Sequence, residues 1–283
     1  MRDRTTDREL ALKSVRYRRT VLRIIREAGA GHTGGSLSCI DILNVLYNDV
    51  LNVSPAAFAD PARDRYIHSK GHSVEALYTV LADRGFFPDS QLRTLSRYRS
   101  HFVGHPTRKV NGIEHNTGAL GHGLPVAAGL ALAGARSRRR FRVFALLGDG
   151  ELAEGSVWEA AMAAAHYRLD NLVVIVDRNG LQITGGTEDV MGLEPLAQRF
   201  AAFGLEVRTC DGHDVGALRA AFDETPFAAG RPSVLLARTV KGKGVSFMEG
   251  RPGWHHHVPS DDELHAALQE LQRAEAELQA VRV

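Results

Sequence analysis

Two short, almost wholly apolar runs constrain this chain more than any other feature. Residues 141–147 run straight into Gly148-Asp149-Gly150, and residues 172–176 run straight into Asp177-Arg178-Asn179. A run of that length, apolar on both sides, fits a strand covered on both faces. Between them residues 156–166 are alanine-rich and helical in pattern, and two further runs, 205–209 and 233–238, flank a helical stretch at 215–222. Strands alternating with helices over about 100 residues imply βαβ units. The expected class is therefore α/β, a three-layer sandwich with a mainly parallel sheet.

The rest of the chain fits around that core. Apolar positions from Leu10 to Ile25 predict an amphipathic helix stopped by Gly29-Ala30-Gly31. Residues 38–51 and 73–84 again look helical, while the segment between them carries Pro55 and Pro61, so residues 1–135 are expected to be helices and loops without a clear strand. Ser260 and Glu263 have capping-box spacing and open a last helix over 260–280. With no repeat, low-complexity tract or linker in view, residues 1–283 read as a single domain: a helical stretch over 1–135, a βαβ core over 141–240 and the C-terminal helix.

Charge and cysteine content narrow the classes of partner. Lys and Arg total 35 against 33 for Asp and Glu, a formal charge of +2, which lacks the basic excess that drives binding to nucleic acid or acidic membranes. The basic run Arg136, Arg138, Arg139, Arg140 and Arg142 has no aromatic neighbours and reads as a solvated loop. No apolar stretch reaches the ~18 residues that span a bilayer. Two cysteines, Cys39 and Cys210, are too few for a disulfide framework and fit small buried groups in a reducing compartment, the cytoplasm.

In a parallel sheet, ligands bind beyond the carboxyl ends of the strands. Asp149 and Asn179 each follow such an end, 30 residues apart, the length of one strand-helix-strand unit. An acidic oxygen and an amide oxygen on adjoining strand tips, completed by a backbone carbonyl near Leu181, two phosphate oxygens and water, suit magnesium holding a diphosphate. Each dipeptide alone is also an ordinary Asp-Gly or Asn-Gly turn. The joint spacing favours the metal.

Gly148-Asp149-Gly150, Glu154-Gly155 and Asp177-Arg178-Asn179 together resemble the thiamine diphosphate fingerprint of transketolases. Residues 31–38, Ser69-Lys70-Gly71-His72, Gly104-His105-Pro106, residues 117–123 and Lys241-Gly242-Lys243-Gly244 resemble successive transketolase motifs in the same order. The resemblance spans residues 14–263 and is to the N-terminal, diphosphate-binding half of a full transketolase. It implies ketol transfer, the passage of a two-carbon unit from a ketose to an aldose, both sugars or sugar phosphates, with thiamine diphosphate and Mg2+. It also implies a partner chain, as in split transketolases, carrying the pyrimidine-binding and C-terminal domains in an α2β2 assembly.

Carried over position by position, the resemblance assigns Asp149, Asn179 and the Leu181 carbonyl to the metal and the Gly150 amide to the diphosphate. Gly118 and Leu120 are assigned to the aminopyrimidine, and His72 to the diphosphate. His32 and His105 are expected to face the thiazolium and the substrate's first hydroxyls, where a neutral imidazole shuttles protons. Glu154 matches a carboxylate that couples two cofactor sites, or is a surface residue. His255 best matches one further catalytic histidine, although His256 and His257 leave the register open. His122 stands where full-length transketolases often have Gln, and His101, His115, His166, His213 and His265 have no matching role.

Rival readings share some of this pattern. A deoxyxylulose phosphate synthase or the α subunit of a 2-oxoacid dehydrogenase has the same metal fingerprint, but His32, His72 and His105 argue against the dehydrogenase and the missing second domain against a single-chain synthase. A non-catalytic cofactor-binding half is a further alternative. A nucleotide-binding protein requires a phosphate loop that the chain lacks.

Overall fold

A computed structural model describes residues 4–137, 139 and 141–280. The helices are α1 (Asp7–Ala28), α2 (Thr33–Ser38), α3 (Ile40–Val45), α4 (Val74–Asp83), α5 (Gly123–Arg136), α6 (Gly155–His166), α7 (Thr187–Val190), α8 (Leu196–Ala202), α9 (Val215–Asp223) and α10 (Asp261–Ala280). The strands are β1 (Arg65–His68), β2 (Val143–Gly148), β3 (Leu172–Arg178), β4 (Glu206–Asp211) and β5 (Ser233–Arg238). They form one sheet in the order β1-β2-β3-β5-β4, every pair parallel.

The apolar runs are buried on both faces, as a sheet sandwiched between helices requires. On β2, Phe144 and Leu146 pack into a cluster with residues of α1, α3, α4, α9 and α10. Val143, Ala145 and Leu147, with the opposite parity, pack into a second cluster with α5, α6 and α8. The three-layer α/β architecture is thus the one the apolar runs predict. Both ends of the fold are tied by capping boxes. Thr6 Oγ1 and Glu9 close the start of α1, and at α10 Ser260 Oγ accepts from the Glu263 N–H at 3.2 Å while Glu263 Oε2 accepts from the Ser260 N–H at 2.8 Å.

Two expectations need correction. The first third does contribute a strand, the four-residue edge strand β1, which among the described residues pairs only with β2. Its polar ends hid it: Arg65 and His68 sit where an interior strand would carry Val or Ile. The helix expected at 38–51 starts at Ile40 rather than Ser38 and ends in a wider turn at Leu46–Val50; Cys39, at φ −95° and ψ 3°, separates it from α2, which takes in Ser38. Of the basic run, Arg138 and Arg140 lie outside the described residues, and Arg142 donates to Asp64 and to the Val50 carbonyl. No helix among the described residues is long and apolar enough to cross a membrane.

Candidate active site

Every strand of a parallel sheet delivers its carboxyl end to the same edge, and here each end is followed by polar residues. β1 leads to Lys70 and His72, β2 to Asp149, β3 to Asn179 and β5 to Lys241. Together with His32, His105 and His255 they line one cleft of about 270 Å³. The neighbouring register Gly148↔Asp177 sets Asp149 beside the β3 turn. The Gly180 N–H then donates to Asp149 Oδ2 at 2.6 Å.

Asp149 is 1% exposed. Burial, then the neighbouring Asp177 carboxylate, raises its carboxyl above the usual range, against the Gly180 N–H and Arg178. A cation in the cleft would relieve that repulsion. Asn179 Oδ1 accepts from the Leu181 N–H at 3.1 Å, and the Leu181 carbonyl accepts from Lys241 Nζ at 3.1 Å. Asp149, Asn179 and Leu181 all line the cleft, and each oxygen retains a lone pair beyond the bonds just given. A carboxylate, an amide and a carbonyl are hard oxygen donors of the kind Mg2+ takes, so the residues fit that ion. Among the described residues no group of three or more His, Cys, Asp or Glu is arranged to hold a metal, and an ion held by these three oxygens would take its remaining ligands from outside the chain. The Gly150 N–H, assigned to a diphosphate, here donates to Asp149 Oδ1 at 2.9 Å.

The imidazoles form a close cluster. The ring centroid of His32 lies 5.2 Å from that of His72, 6.2 Å from His105, 5.4 Å from His255 and 4.5 Å from His256. Burial, followed by the fields of the neighbouring histidines and Lys241, pushes His32 down to about 3. Burial and then Lys241 push His255 down to about 4, burial and then Lys70 put His72 well below its ordinary range, and burial lowers His105. Burial thus favours the neutral form of all four rings, in which one nitrogen donates and the other accepts. Of the three adjacent histidines, His255 enters the cleft, with Nδ1 3.0 Å from Lys241 Nζ. His256 is exposed and packs on His32, whereas His257 turns away to Glu263 at 3.3 Å. Gly118 and Leu120 also line the cleft, Gly118 against the His105 ring.

Glu154 is not brought to the cleft. It is exposed at the start of α6, packed beside Gly121. His122 is likewise outside, its Nδ1 3.0 Å from the Leu120 carbonyl. His213, unassigned from sequence, bridges Asp41 (2.8 Å) and the Val240 N–H (2.8 Å) and so holds the turn before Lys241. Cys39 and Cys210 are free thiols that burial pushes up to about 11 and about 12.

Sequence reasoning missed the charged floor of the cleft. Lys70, 1% exposed, donates to Asp177, 0% exposed, and to the Gly35 carbonyl at 3.1 Å. Burial is the largest influence on each and opposes both charges, but the partner and its neighbours together overcome it, raising Lys70 and, with Ser38 and Thr239, lowering Asp177. Glu151 accepts from Ser69 Oγ, from the Gly121 N–H at 2.9 Å and from the Gly148 N–H at 3.1 Å. Arg178 gathers Asp149 (3.2 Å), Thr187 (2.6 Å), Glu188 (2.8 Å) and Glu194 (3.0 Å) on one guanidinium. The only signal was placement within quoted motifs: Lys70 before His72, Lys241 opening its glycine pair, and Asp177 and Arg178 just ahead of Asn179.

A family model for the thiamine diphosphate binding domain of transketolase matches residues 10–279. The chain belongs to the transketolase family. It is 48% identical over 266 residues to an apulose-4-phosphate transketolase subunit of Actinobacillus succinogenes, covering 93% of this chain and 95% of that one. It is 40% identical over 257 residues to a 6-deoxy-6-sulfo-D-fructose transketolase subunit of Clostridium sp. (strain MSTE9), covering 90% of this chain and 94% of that one. Among solved structures, the transketolase from Leishmania mexicana superimposes with a TM-score of 0.82 at 26% identity, over 98% of this chain and 46% of that one. The chain thus matches, over almost its whole length, one subunit of transketolases divided between polypeptides, and spans less than half of the Leishmania transketolase chain.

Proposed function

We propose that this chain is the diphosphate-binding subunit of a two-chain transketolase that works with thiamine diphosphate and Mg2+ in the cytoplasm, residues 1–283 acting as one domain. The observation that supports it best is the single cleft that gathers Asp149, Asn179 and the Leu181 carbonyl together with four histidines held neutral by burial. When bound, thiamine diphosphate supplies the electron sink for carbon–carbon cleavage, and Mg2+ anchors its diphosphate. The Asp149 carboxylate, the Asn179 amide oxygen and the Leu181 carbonyl hold the metal. His72 and Gly150 serve the diphosphate, and Gly118 and Leu120 meet the aminopyrimidine.

His32, His105 and His255, uncharged at working pH, hold and move protons on the hydroxyls of the donor ketose. The substrates are a ketose or ketose phosphate and an aldose acceptor, a class in keeping with the phosphate and sulfo sugars in the relatives' names. The cleft leaves Leu120 and Ile183, the latter 69% exposed, at its rim. A second subunit with the pyrimidine-binding domain closes it, in an α2β2 assembly in which Glu154 lies at the contact.

The test mixes the purified chain with candidate partner chains that carry a transketolase pyrimidine-binding domain, taken first from adjacent genes. Ketose-dependent turnover requiring both chains, thiamine diphosphate and Mg2+ is expected. Calorimetry on the mixture should show magnesium-dependent cofactor binding that Asp149→Ala abolishes. Turnover by no pairing, or binding untouched by Asp149→Ala, overturns the reading.

A further inference from the structure

The turn that presents His32 is held from beneath by a buried carboxyl. Glu75 lies in the first turn of α4, three residues after His72, and is 0% exposed. Its Oε1 accepts from the His32 backbone N–H at 3.3 Å and its Oε2 from Ser36 Oγ at 2.8 Å. The approach is tight. Gly31 has φ +151°, and a Cβ there would lie 2.7 Å from the Ile25 side chain and 2.8 Å from Glu75 Oε1.

The same turn is tied on its other side. Thr33 Oγ1 donates to the His257 carbonyl at 2.6 Å, and the Gly242 N–H donates to the Gly34 carbonyl at 3.0 Å. His32 therefore hangs from a segment clamped between α4, the histidine loop and the Lys241 turn. The ring itself has no such tie: His32 Nδ1 is buried without a hydrogen-bond partner among the described residues. Its direction is inherited from the backbone, and the backbone's direction on the α4 side depends on Glu75. A buried carboxyl is unfavourable unless its oxygens are used, and both of these are used on one turn.

We propose that Glu75 is a positioning residue that fixes the His32 imidazole over the cleft, at its observed spacing from His72, by anchoring the His32 N–H and the Ser36 hydroxyl. This rests on the assignment of His32 to proton transfer made above. Glutamine preserves the arrangement, its amide oxygen taking the His32 N–H and its amide N–H₂ donating to the Ser36 oxygen. Methionine matches the bulk and removes both ties.

The experiment uses the assembled two-chain enzyme and, separately, the full chain labelled with ¹⁵N-histidine. Glu75→Met is expected to lower kcat by about 30-fold or more, since a displacement of about 1 Å costs up to ~100-fold, while KM and the calorimetric Kd for cofactor stay within about twofold. Glu75→Gln rescues kcat to within about threefold, and Ser36→Ala, which removes one tie and little volume, lowers it about three- to tenfold. Added to His32→Ala, Glu75→Met costs no more than about a further twofold, because the two act on one function. In the labelled chain the ring signals of His32, identified by their loss in His32→Gln, shift in Glu75→Met while those of His105 stay. Wild-type kcat in Glu75→Met, losses that multiply with His32→Ala, or cofactor affinity falling in step with kcat overturns the proposal. An unchanged His32 ring signal overturns it even where wild-type enzyme shows no ketose turnover, which is the failure of the functional reading instead.

Discussion

Replacing Asp177 by Asn tests the floor of the cleft. In the native chain the Lys70 ammonium and the Asp177 carboxylate are enclosed together, with Ser38 Oγ donating to Asp177 Oδ2 at 2.6 Å, Thr239 Oγ1 donating to Oδ1, and the Gly35 carbonyl accepting from Lys70. The amide side chain keeps the shape and one acceptor oxygen, on the Ser38 and Lys70 side, turns an N–H₂ toward the Thr239 oxygen, and removes the charge. Lys70, 1% exposed, then loses its paired counter-charge, with Asp149 and Glu151 acting on it only without a direct bond. Breaking one partner of a buried ion pair costs about 3–5 kcal/mol, a large share of the ~5–15 kcal/mol that holds a typical domain together. With a urea m-value of about 3 kcal/mol/M the midpoint should fall by about 1 to 1.7 M.

The assay is urea unfolding followed by circular dichroism and by the fluorescence of Trp158 and Trp254. Lys70→Met in the Asp177→Asn background supplies the second leg. An apolar stem replaces the stranded ammonium, so the double variant is expected to recover most of the loss, with a coupling of about 2 kcal/mol or more. A loss below about 1 kcal/mol for Asp177→Asn, or a loss that Lys70→Met leaves unchanged, refutes the reasoning that the pair is dry and mutually dependent.

Other outcomes follow from the same geometry. His32→Ala in the assembled enzyme should lower kcat by about 10²- to 10⁴-fold with the cofactor Kd within about threefold, measured by steady-state kinetics and calorimetry. Arg178→Ala should weaken magnesium-dependent cofactor binding by about tenfold in the same calorimeter, because Arg178 supports Asp149 as an outer partner supports a metal ligand. His68 is buried between Tyr66 and Ser73 and is pushed by burial, then by Lys70, down to about 3. Its folded value lies below its unfolded value near 6.5, so the unfolded chain binds the proton first and stability falls as pH drops below about 6.5. Between pH 6.5 and 5 this one residue should remove about 2 kcal/mol, and His68→Gln should flatten the urea-midpoint profile by that amount.

What the sequence disclosed follows the visibility of apolar pattern. β2 and β3 were plain because nearly every residue in them is apolar, and their abrupt polar ends pointed to the edge where the cleft lies. β1 was hidden because four residues with Arg65 at one end and His68 at the other carry too little pattern, and His68 is buried through a network with Tyr66 and Ser73 that only the folded chain shows. The break at Cys39 was hidden too, since Ser38 looks helical yet turns inward to Asp177. Buried charges were the largest omission. Glu75 stands in an apolar helix as an ordinary outward-facing Glu would, and nothing in the order of residues announces that Lys70 will meet Asp177, 107 positions on. The motifs located the residues; their pairing is a property of the assembled sheet.

The outermost position of β1 has a consequence for how ligand binding is lost. This strand is zipped to the sheet along one margin only, and the segment it launches carries Lys70 and His72 into the cleft. Fraying there, without melting the central strands, would withdraw both residues at once. Amide exchange at residues 65–72 should therefore slow when cofactor is added, and a chain weakened at this margin would lose its grip on the cofactor while its far-ultraviolet spectrum still looks native.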